Sequence, residues 1–123
     1  MIFKKTVLIF YRMAGYKKNL DYLKEHLNEG EEVSHSCFGT YETKILNADS
    51  VRSGILACTE NRVIFFAVKL FGFDLESFPY SNISAIEFSK GFMGAKVNLT
   101  MSGNTAKLKW IQEGTPNDLV GFV

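Results

Sequence analysis

Cysteine, histidine, proline and net charge are all scarce in this chain of 123 residues, and each scarcity excludes something. Cys37 and Cys58 are too few for a disulfide framework or a cysteine-based metal site. Both sit in apolar, strand-like surroundings, where a free thiol behaves as a small hydrophobe, so buried, reduced thiols in a cytoplasmic protein are expected. The two histidines stand apart. His26 falls on a helical stretch and His35 on a strand, and neither has a Cys, Asp or His at ligand spacing, so no metal is expected. Fourteen Lys and Arg against thirteen Asp and Glu leave a net charge of +1, which gives no general pull on nucleic acid. No long hydrophobic run is present. The apolar stretch Thr6–Tyr11 is cut by Arg12, short of a signal-peptide core and far below the roughly 20 residues of a membrane span. No phosphate-cradling glycine loop appears, and no cofactor is expected.

What is present is hydrophobic and aromatic residue in the proportion of a globular domain. Hydrophobic residues make up 46% and charged residues 22%, which argues against disorder, and eleven Phe favour β structure. The chain is long enough for one core and too short for two. Its organising stretch is Gly54–Phe66. The apolar runs Ile55–Cys58 and Val63–Phe66 flank the polar step Thr59-Glu60-Asn61-Arg62, a spacing that only a β-hairpin satisfies. Asn61 is expected to take a left-handed conformation in the turn. Both faces of these strands are apolar, so they belong inside a sheet that curls around its own core.

The remaining chain can be read in order. Residues 1–15 are ambiguous between a helix, with Phe3, Val7, Phe10 and Ala14 on one face, and a buried strand over Val7–Tyr11. They are expected to pack on the domain or on a second copy; the alternative is a membrane-surface anchor using Lys4, Lys5 and Arg12. Asn19–Glu29 reads as a helix capped by Asn19, with Leu20, Leu23 and Leu27 on one face and Gly30 as its stop. Alternation then marks strands: Val33–Tyr41, a polar loop at Glu42–Val51, the hairpin strands Arg52–Thr59 and Arg62–Lys69, and Phe73–Phe78 ended by Pro79. Ile83–Ser89 follows with a bulge near Ala85, and Ala95–Met101 and Thr105–Trp110 close the series. Thr115 and Pro116 open a short terminal helix whose apolar face is Leu119, Phe122 and Val123. The fold class is mainly β: a seven-stranded antiparallel barrel or pair of orthogonal sheets, with an N-terminal helix and a short C-terminal helix capping one end.

These residues, Leu27–Glu32, Gly54–Phe66, Phe78–Ile83, Gly91–Leu99 and Thr105–Ile111, resemble the bacterial pleckstrin-homology (PH) domains, in particular the YokE-like PH family. The likeness spans roughly residues 18–123 and is strongest over the pattern G-x-L-x-x-T-x-x-R-x-x-F from Gly54. It implies a PH-like domain over 16–123. Gly54, Thr59 and Arg62 are read as structural: Gly54 for close backbone approach, Thr59 and Arg62 for the turn, with Arg62 bonding a carboxylate or carbonyl across the sheet. Eukaryotic lipid-binding PH domains hold phosphoinositides with a basic pattern on the first hairpin. Lys44 and Arg52 fill two of its places, but the third falls on Gly54, and Glu42 and Asp49 repel anions, so inositol-phosphate binding is not expected.

The candidate contact surface lies on loops. In an up-and-down meander, alternate connections share an end, so 42–51, 70–72 and 90–94 are expected to gather with Lys44, Lys69, Lys90 and Lys96 around Phe71, Phe92 and Met93. Phe71 is expected to fold back and plug the barrel, and Phe92-Met93 to make contact. Cys37 and His35 share a strand face but lack an orienting third group, so catalysis is not expected. Trp110 between lysines faintly suggests a nucleic-acid platform, and alternation assigns it to the core instead. The function that follows is a non-catalytic module binding protein, including copies of itself. The alternative is a peripheral membrane module on anionic lipid at the inner face of the membrane. A small apolar ligand in the barrel mouth is a weaker third reading.

Overall fold

The computed structural model describes residues 15–45, 48–92, 94–102 and 104–123, with the side chains of 44, 45 and 48–50 excepted. The segment 1–14, read above as an apolar arm, lies outside the described residues, as does Met93. Helix α1 spans Tyr16–Lys24. Seven strands follow: β1 His35–Ile45, β2 Ala48–Cys58, β3 Arg62–Val68, β4 Phe73–Pro79, β5 Ile83–Gly91, β6 Gly94–Met101 and β7 Asn104–Gly114. A single 3-10 turn at Tyr80–Asn82 separates β4 from β5, and helix α2, Pro116–Phe122, ends the chain. The strands form one antiparallel sheet in the order β4-β3-β2-β1-β7-β6-β5.

The sheet wraps over a shared interior. Cys37 and Tyr41 from β1, Leu56 from β2, Phe65 from β3, Val97 and Leu99 from β6 and Leu108 from β7 meet in one buried cluster. Phe78 of β4 and Ile86 and Phe88 of β5 close on it from the two edges of the sheet. Leu119 of α2 is fully buried against the same cluster, with Val120 and Val123 beside it, so the terminal helix caps the core as its spacing predicts. Phe122 departs from that expectation. It is half-exposed and meets the His35 ring edge-on at 5.7 Å.

The hairpin of β2 and β3 is apolar on both faces because each face has its own partner. Val63, Phe65 and Ala67 point into the barrel core, while Ile64, Phe66 and Val68 with Ile55 and Ala57 form a second cluster under Leu23 of α1. Helix α1 therefore rides on the outside of the sheet. Burying Leu23 against five such side chains is what makes the helix stable, since nine residues alone are too few for an isolated helix.

Several boundaries differ from the sequence reading for physical reasons. The helix starts after Gly15, and Asn19 is not its cap. Asn19 is buried one turn in, where Nδ2 donates to the Gly15 carbonyl at 2.8 Å and Oδ1 accepts from the Val68 amide at 2.8 Å. A side chain that joins helix to sheet is satisfied better there than at a solvent-facing terminus. Gly30 does adopt a left-handed φ of 79°, but in a turn over Asn28–Glu31 beyond the helix end. The expected loop at 42–51 is mostly strand, with β1 paired to β2 as far as Ile45 opposite Ala48. Asn61 keeps a negative φ, because the turn is held by a side chain: Thr59 Oγ1 accepts from the amides of Asn61 and Arg62 at 3.1 and 3.2 Å. The bulge near Ala85 is present as a register shift between Ile83 and Ala85.

Candidate functional site

Gly54, Thr59 and Arg62 sit in two tight structural arrangements. A Cβ on Gly54 would lie 2.5 Å from the Phe66 carbonyl oxygen and 2.8 Å from Cζ of Phe65. Gly54 is paired with Gly39, whose own Cβ would lie 2.5 Å from the Lys109 carbonyl oxygen, so two glycines face each other where β1 and β2 coil most tightly. Across the barrel end, Arg62 donates through Nε to Glu31 Oε2 at 2.9 Å and through a terminal nitrogen to Oε1 at 2.8 Å. Its other terminal nitrogen reaches Ser77 Oγ at 3.0 Å. Thr59 Oγ1 donates to Glu31 Oε2 at 2.8 Å, the Asn28 amide donates to Oε1 at 3.0 Å, and Tyr80 O–H donates to the Thr59 carbonyl. The Glu31 side chain is only 1% exposed. The bonds from Arg62, outweighing the opposing effect of burial and joined by those from Asn28 and Thr59, hold its carboxyl at about 2 against an ordinary 4.5. The Asn28–Glu31 turn is thus bolted to the β2–β3 hairpin. Glu31 was not singled out in the sequence, although it sits within the Leu27–Glu32 stretch that carried the resemblance.

Arg52 is occupied in the same sense. It donates to Asp74 at 2.9 Å and Glu76 at 2.6 Å, and its guanidinium lies over the rings of Tyr41 and Phe65, 5.3 and 5.1 Å from their centroids. Those rings are stacked on each other at 3.7 Å. Lys69 pairs with Asp74 at 2.8 Å. These carboxylates take up the positive charge that a phosphate would need on this hairpin.

The three loops expected to gather do not all do so. Lys69 and Phe71 lie on the β3–β4 connection, Lys69 beside Val51 and Arg52. Lys90, Phe92 and Lys96 lie at the β5–β6 turn, next to the part of β7 where Ile111 pairs with Ala95. The parity of a meander fails because β4 and β5 are opposite edges of the sheet, so the chain crosses between them without pairing. For Lys44 only the backbone is described, opposite Asp49. Phe71 does not plug the barrel: it is 89% exposed, in a turn closed by the Lys69 amide and Gly72 carbonyl.

The largest change from the sequence reading is Trp110. Alternation placed it in the core, yet it is 45% exposed with φ at 57°, the one described non-glycine residue in left-handed backbone. Against β1, three residues of β7 lie between the partners of Thr40 and Phe38 where β1 supplies one. This bulge hands the inward position to Ile111 and swings the indole out. The result is a groove of about 700 Å³ walled by Phe92, which is fully exposed, and Trp110, with Lys90, Lys96, Lys109 and Glu42 around it. Lys109 pairs with Glu42 at 2.9 Å.

A fold of seven antiparallel strands with a terminal helix stoppering its core is now in place, and a match to known families adds the decisive point: residues 27–123 match the bacterial PH domain. The chain belongs to the bacterial PH domain family. The match covers the whole PH sheet and α2 without singling out the YokE-like branch. Comparison with curated proteins and with solved structures gave no significant match. PH domains are in general non-catalytic binding modules. Burial pushes the Cys37 thiol, two residues from His35 on β1, up to about 12. Among the described residues, no group of His, Cys, Asp and Glu is arranged to hold a metal ion, and no helix is long and apolar enough to cross a membrane.

Proposed function

We propose that this PH domain is an interaction module whose ligand is a protein, a partner's segment or a second copy of the chain, engaged at the β5–β6 turn. The observation that carries this reading is Phe92, fully exposed at the turn and sharing a groove with the half-exposed Trp110. Adjacent exposed aromatics at a concave surface mark contact sites more often than solvent faces. Among the described residues β4 and β5 have a sheet neighbour on one side only, which offers backbone groups for strand addition.

The peripheral-membrane alternative rests on the same Phe92 with Lys90 and Lys96. Two lysines contribute about 2 kcal/mol at an anionic surface, and one inserted phenyl ring about 2 kcal/mol more. Together these reach only about the 4 kcal/mol of a millimolar dissociation constant, too weak for a lone domain to stay bound. The protein reading is therefore favoured. Molecular mass measured against concentration, for the wild type and for Phe92→Ser, tests self-association: a mass that rises in the wild type and stays monomeric in the variant supports it. Firm binding to phosphatidylserine vesicles by a protein that remains monomeric would overturn the protein reading.

A further inference from the structure

We propose that the groove between the β5–β6 turn and the β7 bulge takes a short acidic peptide segment, with one apolar side chain against Trp110 and Phe92 and carboxylates on Lys90 and Lys96. This rests on the protein-binding reading and names the ligand's chemistry. The groove's charge is what selects the ligand. Lys109 is already neutralised by Glu42 at 2.9 Å, whereas Lys90 and Lys96 make no ion pair among the described residues. Both line the groove at the β5–β6 turn, and the register, Lys90 opposite Ala95 and Ser89 opposite Lys96, sets them on opposite faces of the hairpin. An aromatic wall rimmed by two ammonium groups outside any described ion pair, Lys90 bordering as well a cleft lined by Glu113 and Asp118, complements a ligand that is apolar at one position and anionic around it.

Size and shape point to a peptide. The groove runs across β5, β6, β7 and β1, three strand spacings or about 14 Å, which is the length of about four extended residues. The indole is held outward by backbone strain: a bulky residue in left-handed conformation persists only where its surroundings over-determine it. Here the bulge sits over Gly39, which leaves no room for a side chain beneath the Lys109 carbonyl. The aromatic wall is therefore part of the folded sheet and does not need the ligand to assemble it.

Trp110 is the sole tryptophan, so its emission reports on the groove directly. The probes are blocked pentapeptides with a central phenylalanine flanked by glutamates, by serines or by lysines, and vesicles of phosphatidylcholine with phosphatidylserine. The glutamate peptide is expected to shift the emission saturably and to weaken with salt. Replacing both lysines, Lys90→Glu with Lys96→Glu, should weaken it by about tenfold or more and transfer the preference to the lysine peptide, with circular dichroism unchanged. Phe92→Ser should weaken glutamate and serine peptides alike. An equal response to serine and glutamate peptides, or one indifferent to the lysine reversals, overturns the acidic ligand and leaves the protein-binding reading standing. Vesicles that shift the emission when no peptide does overturn both. Silence from every probe overturns the groove proposal, and the mass measurement then decides the module by itself.

Discussion

Replacing Arg62 by Met tests how the fold is fastened. The guanidinium makes two bonds to Glu31 and one to Ser77, and it faces a carboxylate whose side chain is 1% exposed. Removing it leaves that carboxylate with only the Thr59 hydroxyl and the Asn28 amide. Breaking one partner of a buried ion pair costs about 3–5 kcal/mol, because the remaining charge stays desolvated. The pKa carries the same scale: a fall from 4.5 to about 2, at about 1.4 kcal/mol per pKa unit, corresponds to about 3 kcal/mol of native-state stabilisation. The sign is specific. In the wild type the folded carboxyl is depressed, so its stabilisation is complete above about pH 4.5 and is lost as pH falls towards 2. In Arg62→Met the bonds that depress the carboxyl most are gone while burial remains, so the variant lacks this stabilisation at neutral pH and has less of it to lose on acidification. Urea unfolding followed by circular dichroism at pH 7, 5 and 3.5 should therefore show a gap between the two proteins of about 3 kcal/mol or more that narrows on acidification. A gap below about 1 kcal/mol, or one constant with pH, would refute the reasoning.

Other consequences are equally direct. Gly54→Ala drives a methyl group to 2.5 Å from a backbone oxygen and should cost about 3 kcal/mol or prevent folding, whereas Gly72→Ala, with open space but a φ of 95°, should cost only about 1 kcal/mol in thermal melts. Asn19→Ala strands the Val68 amide in a buried site and should lower stability by about 1–3 kcal/mol, with hydrogen exchange rising first at α1 and the end of β3. Leu119→Ala opens a cavity under α2 and should cost about 2–5 kcal/mol by urea titration. Cys37, buried and pushed up to about 12, should not react with a thiol reagent at pH 8 until the protein unfolds; reaction on the timescale of a free thiol would show that β1 opens.

How far the sequence reached depended on whether a residue's partner was near in the chain. The β2–β3 hairpin was legible because its two apolar runs and the turn between them are local, and so was the α2 cap from Thr115, Pro116 and Leu119, although the Thr115 side chain makes no capping bond. Arg62 was read as bonding a carboxylate or a carbonyl, but Glu31 lies thirty-one residues away and only the fold names it. Asn19 looked like a cap because caps are the local use of asparagine; its partner, Val68, is forty-nine residues on. Arg52 was read only as one place of an incomplete phosphate-binding pattern, and the fold brings Asp74 and Glu76 beside it from β4.

By itself the sequence determined the order of helices and strands, the family and the doubly apolar β2–β3 hairpin, because each follows from patterning and turn chemistry that neighbouring residues impose on one another. Only the tertiary structure decided which surfaces meet. The crossing from β4 to the far edge at β5 separated Phe71 from Phe92, and a single residue in left-handed backbone turned Trp110 out of the core and into a groove with Lys90 and Lys96. Strand order and a bulge's phase are settled by packing over the whole barrel, and a bulge re-aims the side chains beside it according to contacts far along the chain.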